Sequence, residues 1–137
     1  MLVVDASLVV ELSLDRIGER AGADLDRGGQ LIAPPLLWSE VPSALHEMAF
    51  RGEISNALAE LALQRFLSGK LSISEQRPEG LATAAWEMAE DFGWAKTYDA
   101  EYVALAKAEG CRLVTLDSRL RRGTDRLGFV VTPAELA

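Results

Sequence analysis

A chain of 137 residues is the length of one domain, expected to run over residues 1–137, and is long enough to bury a core without staples. Its single cysteine, Cys111, excludes an internal disulfide and speaks against a thiolate metal site. No apolar run approaches the roughly 20 residues of a membrane span, and the N-terminus has neither the basic nor the long apolar region of a signal peptide. The net charge of −7 argues against a uniformly basic nucleic-acid binder, and the expectation is a cytoplasmic protein with no membrane partner.

The charge is unevenly spread. Residues 1–95 hold 7 basic and 15 acidic side chains, whereas residues 96–126 hold 7 basic and 5 acidic. Arg112, Arg119, Arg121, Arg122 and Arg126 fall in the second stretch, so an acidic protein can still present a basic lip to phosphates.

Met1 to Val4 reads as a short buried strand that runs into Asp5, with a helix from Ser7 to about Leu14 directly behind it. Asp15 is expected to cap a second helix reaching Arg27, which Gly28-Gly29 ends. Gln30–Ala33 is a strand, and Pro34-Pro35 opens a helix from about Leu36 to Phe50. Pro42 is awkward inside that helix, so the helix proper is expected to begin near Ser39 or to kink. Ser55 caps a further helix ending at Ser68-Gly69, and Leu71–Ile73 alternates like a strand. Pro78 to about Phe92 is helical. Asp99 precedes a helix in which Tyr102, Val103 and Ala106 face inward, ending at Gly110, and Arg112–Leu116 is a strand followed directly by Asp117. Ser118–Arg122 makes a helical turn, Gly128–Val131 the last strand, and Thr132-Pro133 leads to a short tail.

Strands alternating with helices imply an α/β fold: a central parallel sheet of about five short strands with helices on both faces. In such sheets ligands bind outside the carboxyl ends of the strands. Asp5 and Asp117 end strands, Asp99 opens a helix that runs back from that edge, and Glu40 lies in the first turns of the helix after strand two. Taken singly, each Asp is accounted for as a helix cap, and Glu40 as a half-exposed helix residue. Taken together, four carboxylates at one edge repel and raise one another's pKa, unless a hard cation such as Mg²⁺ or Mn²⁺ sits among them. The chemistry that follows is metal-assisted hydrolysis of a phosphodiester. His46, the only histidine, falls mid-helix. Trp38, Trp86 and Trp94 are read as core or interface, Cys111 as an inert buried thiol, and no GxGxxG or P-loop is present.

The stretches Val3-Val4-Asp5-Ala6-Ser7, Leu37-Trp38-Ser39-Glu40-Val41-Pro42-Ser43-Ala44-Leu45, Tyr98-Asp99-Ala100-Glu101-Tyr102-Val103-Ala104-Leu105-Ala106 and Leu113-Val114-Thr115-Leu116-Asp117, in this order and spacing, resemble PIN-domain ribonucleases, and among them the VapC-type toxins of toxin–antitoxin pairs. The resemblance covers essentially the whole chain. It implies a PIN-like three-layer α/β/α domain and a divalent-metal site in which Asp5, Glu40, Asp99 and Asp117 match the family's acids, with Ser7 and Thr115 matching hydroxyls beside the metal. It also implies endonucleolytic RNA cleavage, a homodimer, and a cognate VapB antitoxin whose tail covers the site. Arg119, Arg121 and Arg122 become candidates for contact with the RNA backbone, their alternative being surface solubility. Two positions depart from the family pattern: Pro42 replaces a small helix former, and Glu101 replaces an apolar residue. Glu101 is either a surface exchange or an extra charge near the site, and Asp125 an accessory acid or a loop residue.

Two other classes remain open on the sequence. A haloacid-dehalogenase-like phosphohydrolase also has an Asp after strand one, but its second Asp is here Ser7 and no acidic pair follows near the C-terminus. A non-catalytic PIN-like partner-binding module would not require the four acids.

Overall fold

A computed structural model describes residues 1–137. The opening strand β1 (Leu2–Val4) is buried on both faces, as its unbroken apolar run requires of a central parallel strand, and the chain passes through Asp5 into α1 (Ala6–Ser13). Then follow α2 (Glu19–Arg27), β2 (Leu31–Ala33), α3 (Leu37–Phe50), α4 (Asn56–Leu67) and β3 (Ile73–Glu75). The second half holds α5 (Leu81–Phe92), α6 (Tyr98–Glu109), β4 (Arg112–Val114), α7 (Ser118–Gly123), a 3₁₀ turn at Asp125–Leu127, β5 (Val130–Val131) and a C-terminal 3₁₀ helix at Pro133–Leu136.

All five strands are parallel, in the order β3-β2-β1-β4-β5, with Val3 beside Ile32 on one side and Leu113 on the other. The chain therefore steps outward from β1 to β3, crosses back to β4, and steps outward again to β5. Right-handed crossovers put the helices of the two excursions on opposite faces. The packing agrees: α1, α3 and α4 lie against one another, while α5 packs on α6 and α6 on β1 and β4. The result is the three-layer α/β/α arrangement with its order reversing between β1 and β4, the place where doubly wound sheets open a crevice at their carboxyl edge.

Helix α6 packs on β1 and β4 from one side and against α5. Ala100 and the run from Tyr102 to Ala106 are buried, so it is apolar nearly all round, and small Ala residues let it sit close on the sheet. Helix α3 begins at Leu37, two residues before Ser39. The amides of Leu37, Trp38 and Ser39 bond to carbonyls three residues back, and Glu40 is the first to reach four back, to Leu36. A tight turn seeded by Pro34-Pro35 thus starts the helix, and Pro42 follows within it.

Four local expectations need correction. Asp15 closes α1 and does not cap α2. It takes a left-handed conformation, φ 56°, while its amide reaches Leu12 O and that of Arg16 reaches Glu11 O, the bonding of a left-handed helix stop. Helix α2 starts only at Glu19, after Gly18. The third strand lies at Ile73–Glu75, two residues later than expected at its start, because Ser72 (φ 52°) bonds back to Gly69 and uses Leu71-Ser72 for a turn. Helix α5 starts at Leu81 and not at Pro78, since Gly80 is left-handed (φ 79°) and interrupts any helix from the proline. Strand β4 ends at Val114; Thr115 still bonds to Val131 O, but the chain turns at Leu116.

The aromatic residues and the thiol mostly take structural places. Trp38 packs against the core near Phe66, and Trp94 stacks on Phe92. Trp86 is exposed on α5 and donates to Glu90. His46 faces solvent on α3, and Cys111 is half-buried against the core. No helix is long and apolar enough to cross a membrane.

Candidate active site

Asp5 stands at the carboxyl end of β1, 6% exposed, and its two oxygens accept three hydrogen bonds. Oδ1 accepts from the Leu8 amide at 3.2 Å, which caps α1, and from the Ser7 hydroxyl at 2.7 Å; Oδ2 accepts from the Thr115 hydroxyl. Thr115 is itself fully buried at the end of β4 and accepts from the Asp117 amide at 3.0 Å, while Ser7 accepts from the Leu116 amide at 3.0 Å. Two hydroxyls thus lace the ends of β1 and β4 together around one carboxylate. Oδ1 has both its lone-pair directions in use, and Oδ2 retains acceptor capacity.

Asp117 caps α7, its Oδ1 accepting from the amides of Arg119 (2.9 Å) and Leu120 (3.3 Å). The capping reading of Asp5 and Asp117 is therefore correct, and it coexists with their place at the crevice. For Asp99 it is not: α6 begins one residue earlier, at Tyr98, and Asp99 sits within its first turn, exposed, capping nothing. Glu40 lies in the first turn of α3, half-buried, and its Oε1 accepts from the Tyr102 hydroxyl at 2.6 Å.

The electrostatics tie these acids into one group. Burial pushes the Asp5 carboxyl up to about 6 against three hydrogen bonds that pull it down, with the charge of Asp99 adding to the rise. Burial also raises Glu40, and the charges of Asp99 and Glu101 raise it further. Asp99, open to solvent yet crowded by its neighbours, is raised by partial desolvation and by the charge of Asp117, and eased by Arg119. Asp99 is thus the member that both Asp5 and Glu40 feel. Glu101, half-buried and next in sequence to Glu40's partner Tyr102, is raised by its own burial and eased by Arg77. As the side chains stand, no three of these acids form a ready-made ligand set for an ion.

Of the three arginines singled out from the sequence, Arg119 is exposed and lies 3.9 Å from Asp117, and Arg122 is exposed on α7. Arg121 differs. Its guanidinium makes two parallel bonds to Glu135, at 2.8 and 2.9 Å, and one to Asp125 at 2.8 Å. Asp125 is accordingly a partner of Arg121. A groove of about 1080 Å³ opens beside Ser7 and Leu116, between α1, α2 and the C-terminal 3₁₀ helix, lined in part by Val10, Ile17 and Pro133; the four acids are not among its lining residues. Two residues were not singled out for the site: Tyr102, read only as an inward-facing core position, and Glu135, in a stretch read as a tail. Tyr102 carried a signal, since it follows Asp99 by three residues and shares its helix face.

Residues 2–125 match the PIN domain family. VapC ribonuclease Mb0985 of Mycobacterium bovis is 35% identical over 120 residues, which cover 88% of this chain and 88% of that protein. Ribonuclease VapC3 of Mycobacterium tuberculosis is 32% identical over 123 residues, 88% of this chain and 85% of that one. Among solved structures, PAE2754 from Pyrobaculum aerophilum superposes with a TM-score of 0.71 at 26% identity, over 98% of this chain and 85% of that chain. A toxin–antitoxin complex from Klebsiella pneumoniae gives 0.66 at 17% identity, over 97% of this chain and 98% of that chain, a likeness of fold. These matches leave no place for the haloacid-dehalogenase reading. The chain belongs to the PIN-domain family and is closely related to the VapC-type ribonuclease toxins.

Proposed function

We propose that the protein is a divalent-metal-dependent endoribonuclease, the toxin of a type II toxin–antitoxin pair, and that Asp5, Glu40, Asp99 and Asp117 are its catalytic and metal-binding acids. The observation that carries this reading is the gathering of carboxylates with raised pKa around the point where the strand order reverses.

The donor set fits Mg²⁺ or Mn²⁺: it is all oxygen, partly desolvated and mutually repelling, and Mg²⁺ asks for only one or two carboxylates, taking water and phosphate oxygens for the rest. A bound cation would neutralise charge on the scissile phosphodiester and its leaving oxygen, and make water a better nucleophile. The remaining work falls to the chain. Asp5, fixed through Oδ1 and by Thr115, presents Oδ2; Asp99 and Asp117 supply charge across the crevice; and Glu40 binds the ion or orients the attacking water. Ser7 and Thr115 hold Asp5 in one rotamer. Arg119 and Arg122 steer the RNA backbone to an otherwise acidic protein.

A cognate VapB-type antitoxin would keep the toxin inactive, with its tail crossing the site; the groove beside Ser7 is the feature of this surface that favours such a partner. Homodimerisation completes the proposed assembly. Cleavage of a mixed cellular RNA pool, with Mg²⁺, Mn²⁺ or EDTA and with Asp99→Asn alongside, tests the whole. Discrete fragments that need both metal and Asp99 are expected. Folded, partner-free protein that cleaves nothing under any condition would instead favour the non-catalytic binding module.

A further inference from the structure

Glu40 and Tyr102 come from different layers of the molecule, α3 on one face of the sheet and α6 on the other. Their side chains meet beyond the strand ends, and the bond between them links residues 62 apart in sequence. The Tyr102 ring is 1% exposed, so its position is set by the core and not by the site. A buried phenol needs an acceptor, and a backbone carbonyl would serve. Here the acceptor is one of the four acids, at 2.6 Å, the length of a charge-assisted bond.

The consequence lies in what is left over. A glutamate on a helix surface has freely rotating torsions and two equivalent oxygens. Anchoring Oε1 on a hydroxyl that the core immobilises removes most of that freedom and makes the oxygens inequivalent. A phenol, with an ordinary pKa of about 10, is a donor wherever a carboxylate is charged, so the hydroxyl gives and Oε1 accepts.

We infer that Tyr102 is a positioning residue for Glu40: it ties up Oε1, so that Glu40 serves the cation or the attacking water through Oε2 alone. This rests on the ribonuclease reading above. Tyr102 touches neither substrate nor metal and acts through Glu40.

The test compares wild type, Tyr102→Phe, Glu40→Gln and the double variant, each stripped with EDTA and shown to be folded by circular dichroism. Calorimetric titration with Mn²⁺ gives metal affinity without reference to activity, and cleavage of one RNA at saturating Mn²⁺ separates kcat from KM. Tyr102→Phe is expected to weaken Mn²⁺ binding and lower kcat, each by about 10-fold, with KM for RNA unchanged. In the Glu40→Gln background the same change is expected to add nothing, since the hydroxyl acts only through that carboxylate. Wild-type values in Tyr102→Phe, or a loss that persists at full size without Glu40, would overturn the inference, the latter by showing a structural role. If Tyr102→Phe fails to fold, Glu40→Asp replaces it: the charge stays but is withdrawn from the hydroxyl, and unchanged Mn²⁺ affinity there overturns the inference equally. Metal-dependent cleavage by wild type with an indifferent Tyr102→Phe removes the positioning role alone; a wild type that cleaves nothing removes the function and this inference with it.

Discussion

The hydroxyl of Thr115 donates to Oδ2 of Asp5 across 110 residues of sequence, and by doing so it joins the ends of the two strands between which the sheet reverses. One buried hydroxyl thereby serves the fold and the site at once. Thr115→Val keeps the shape and deletes the donor. It leaves Asp5 less satisfied and the Asp117 amide without its acceptor, so a loss of about 1.5–3 kcal/mol is expected at pH 7, measured by urea unfolding. The loss should shrink near pH 4, where a protonated Asp5 no longer offers a charged acceptor.

The raised carboxyl of Asp5 gives metal-free protein a distinctive pH response. Its folded value of about 6 exceeds the ordinary 3.8, so the folded state binds the extra proton between them. Stability from this group is therefore full below pH ~4, declines as pH rises through ~6, and is flat beyond. Two units amount to about 3 kcal/mol. Asp5→Asn removes the titration. In EDTA, the variant should match wild type near pH 4 and exceed it by an amount of that order at pH 7. Parallel stability curves for the two proteins would show that Asp5 ionises without penalty.

Asp99 is the acid whose charge both Asp5 and Glu40 feel, and it caps nothing. Asp99→Asn is accordingly expected to abolish cleavage while the fold survives. Metal-free, the variant should be as stable as wild type or more so, by no more than about 1 kcal/mol, because it relieves the desolvation of a charged carboxylate and its repulsion by Asp117 at a position where solvent screens both. Undiminished cleavage would remove Asp99 from the site.

The architecture was legible because its signals are local. An unbroken apolar run means a buried parallel strand, and an acid directly after it falls at the carboxyl edge whatever else the chain does; Asp5 and Asp117 needed no more than that. Glu40 was readable from its place behind Pro34-Pro35. What the sequence concealed depends on backbone geometry or on distant partners. Nothing in the residue names indicates that Asp15 and Ser72 adopt positive φ, so Asp15 read as a cap for the wrong helix. Tyr102 read as core, and it is core; that its hydroxyl would find Glu40 required both layers of helices to be in place. Arg121 looked equivalent to Arg119 and Arg122 because its acceptor lies 14 residues away, in a stretch with no strong pattern.

That difference separates the three arginines by function. Arg121 is held by Glu135 on the C-terminal 3₁₀ helix and by Asp125, and the partnership drives the Glu135 carboxyl down to about 2. Its charge is already matched, and moving it onto a phosphate would strand two carboxylates. Arg119 and Arg122 carry no such obligation to the tail, and Arg119 is 87% exposed. Replacing either of these two by Ala should weaken RNA binding and reduce the slope of log K against log salt by about 0.7 for each lost phosphate contact with single-stranded RNA. Arg121→Ala should leave that slope unchanged. It should instead release the C-terminal helix, seen as faster amide exchange over residues 132–136, with an effect that fades as pH falls through about 2, where Glu135 takes up its proton and the ion pair is lost in wild type as well. A reduced salt slope in Arg121→Ala, with the tail still protected, would place this arginine on the RNA.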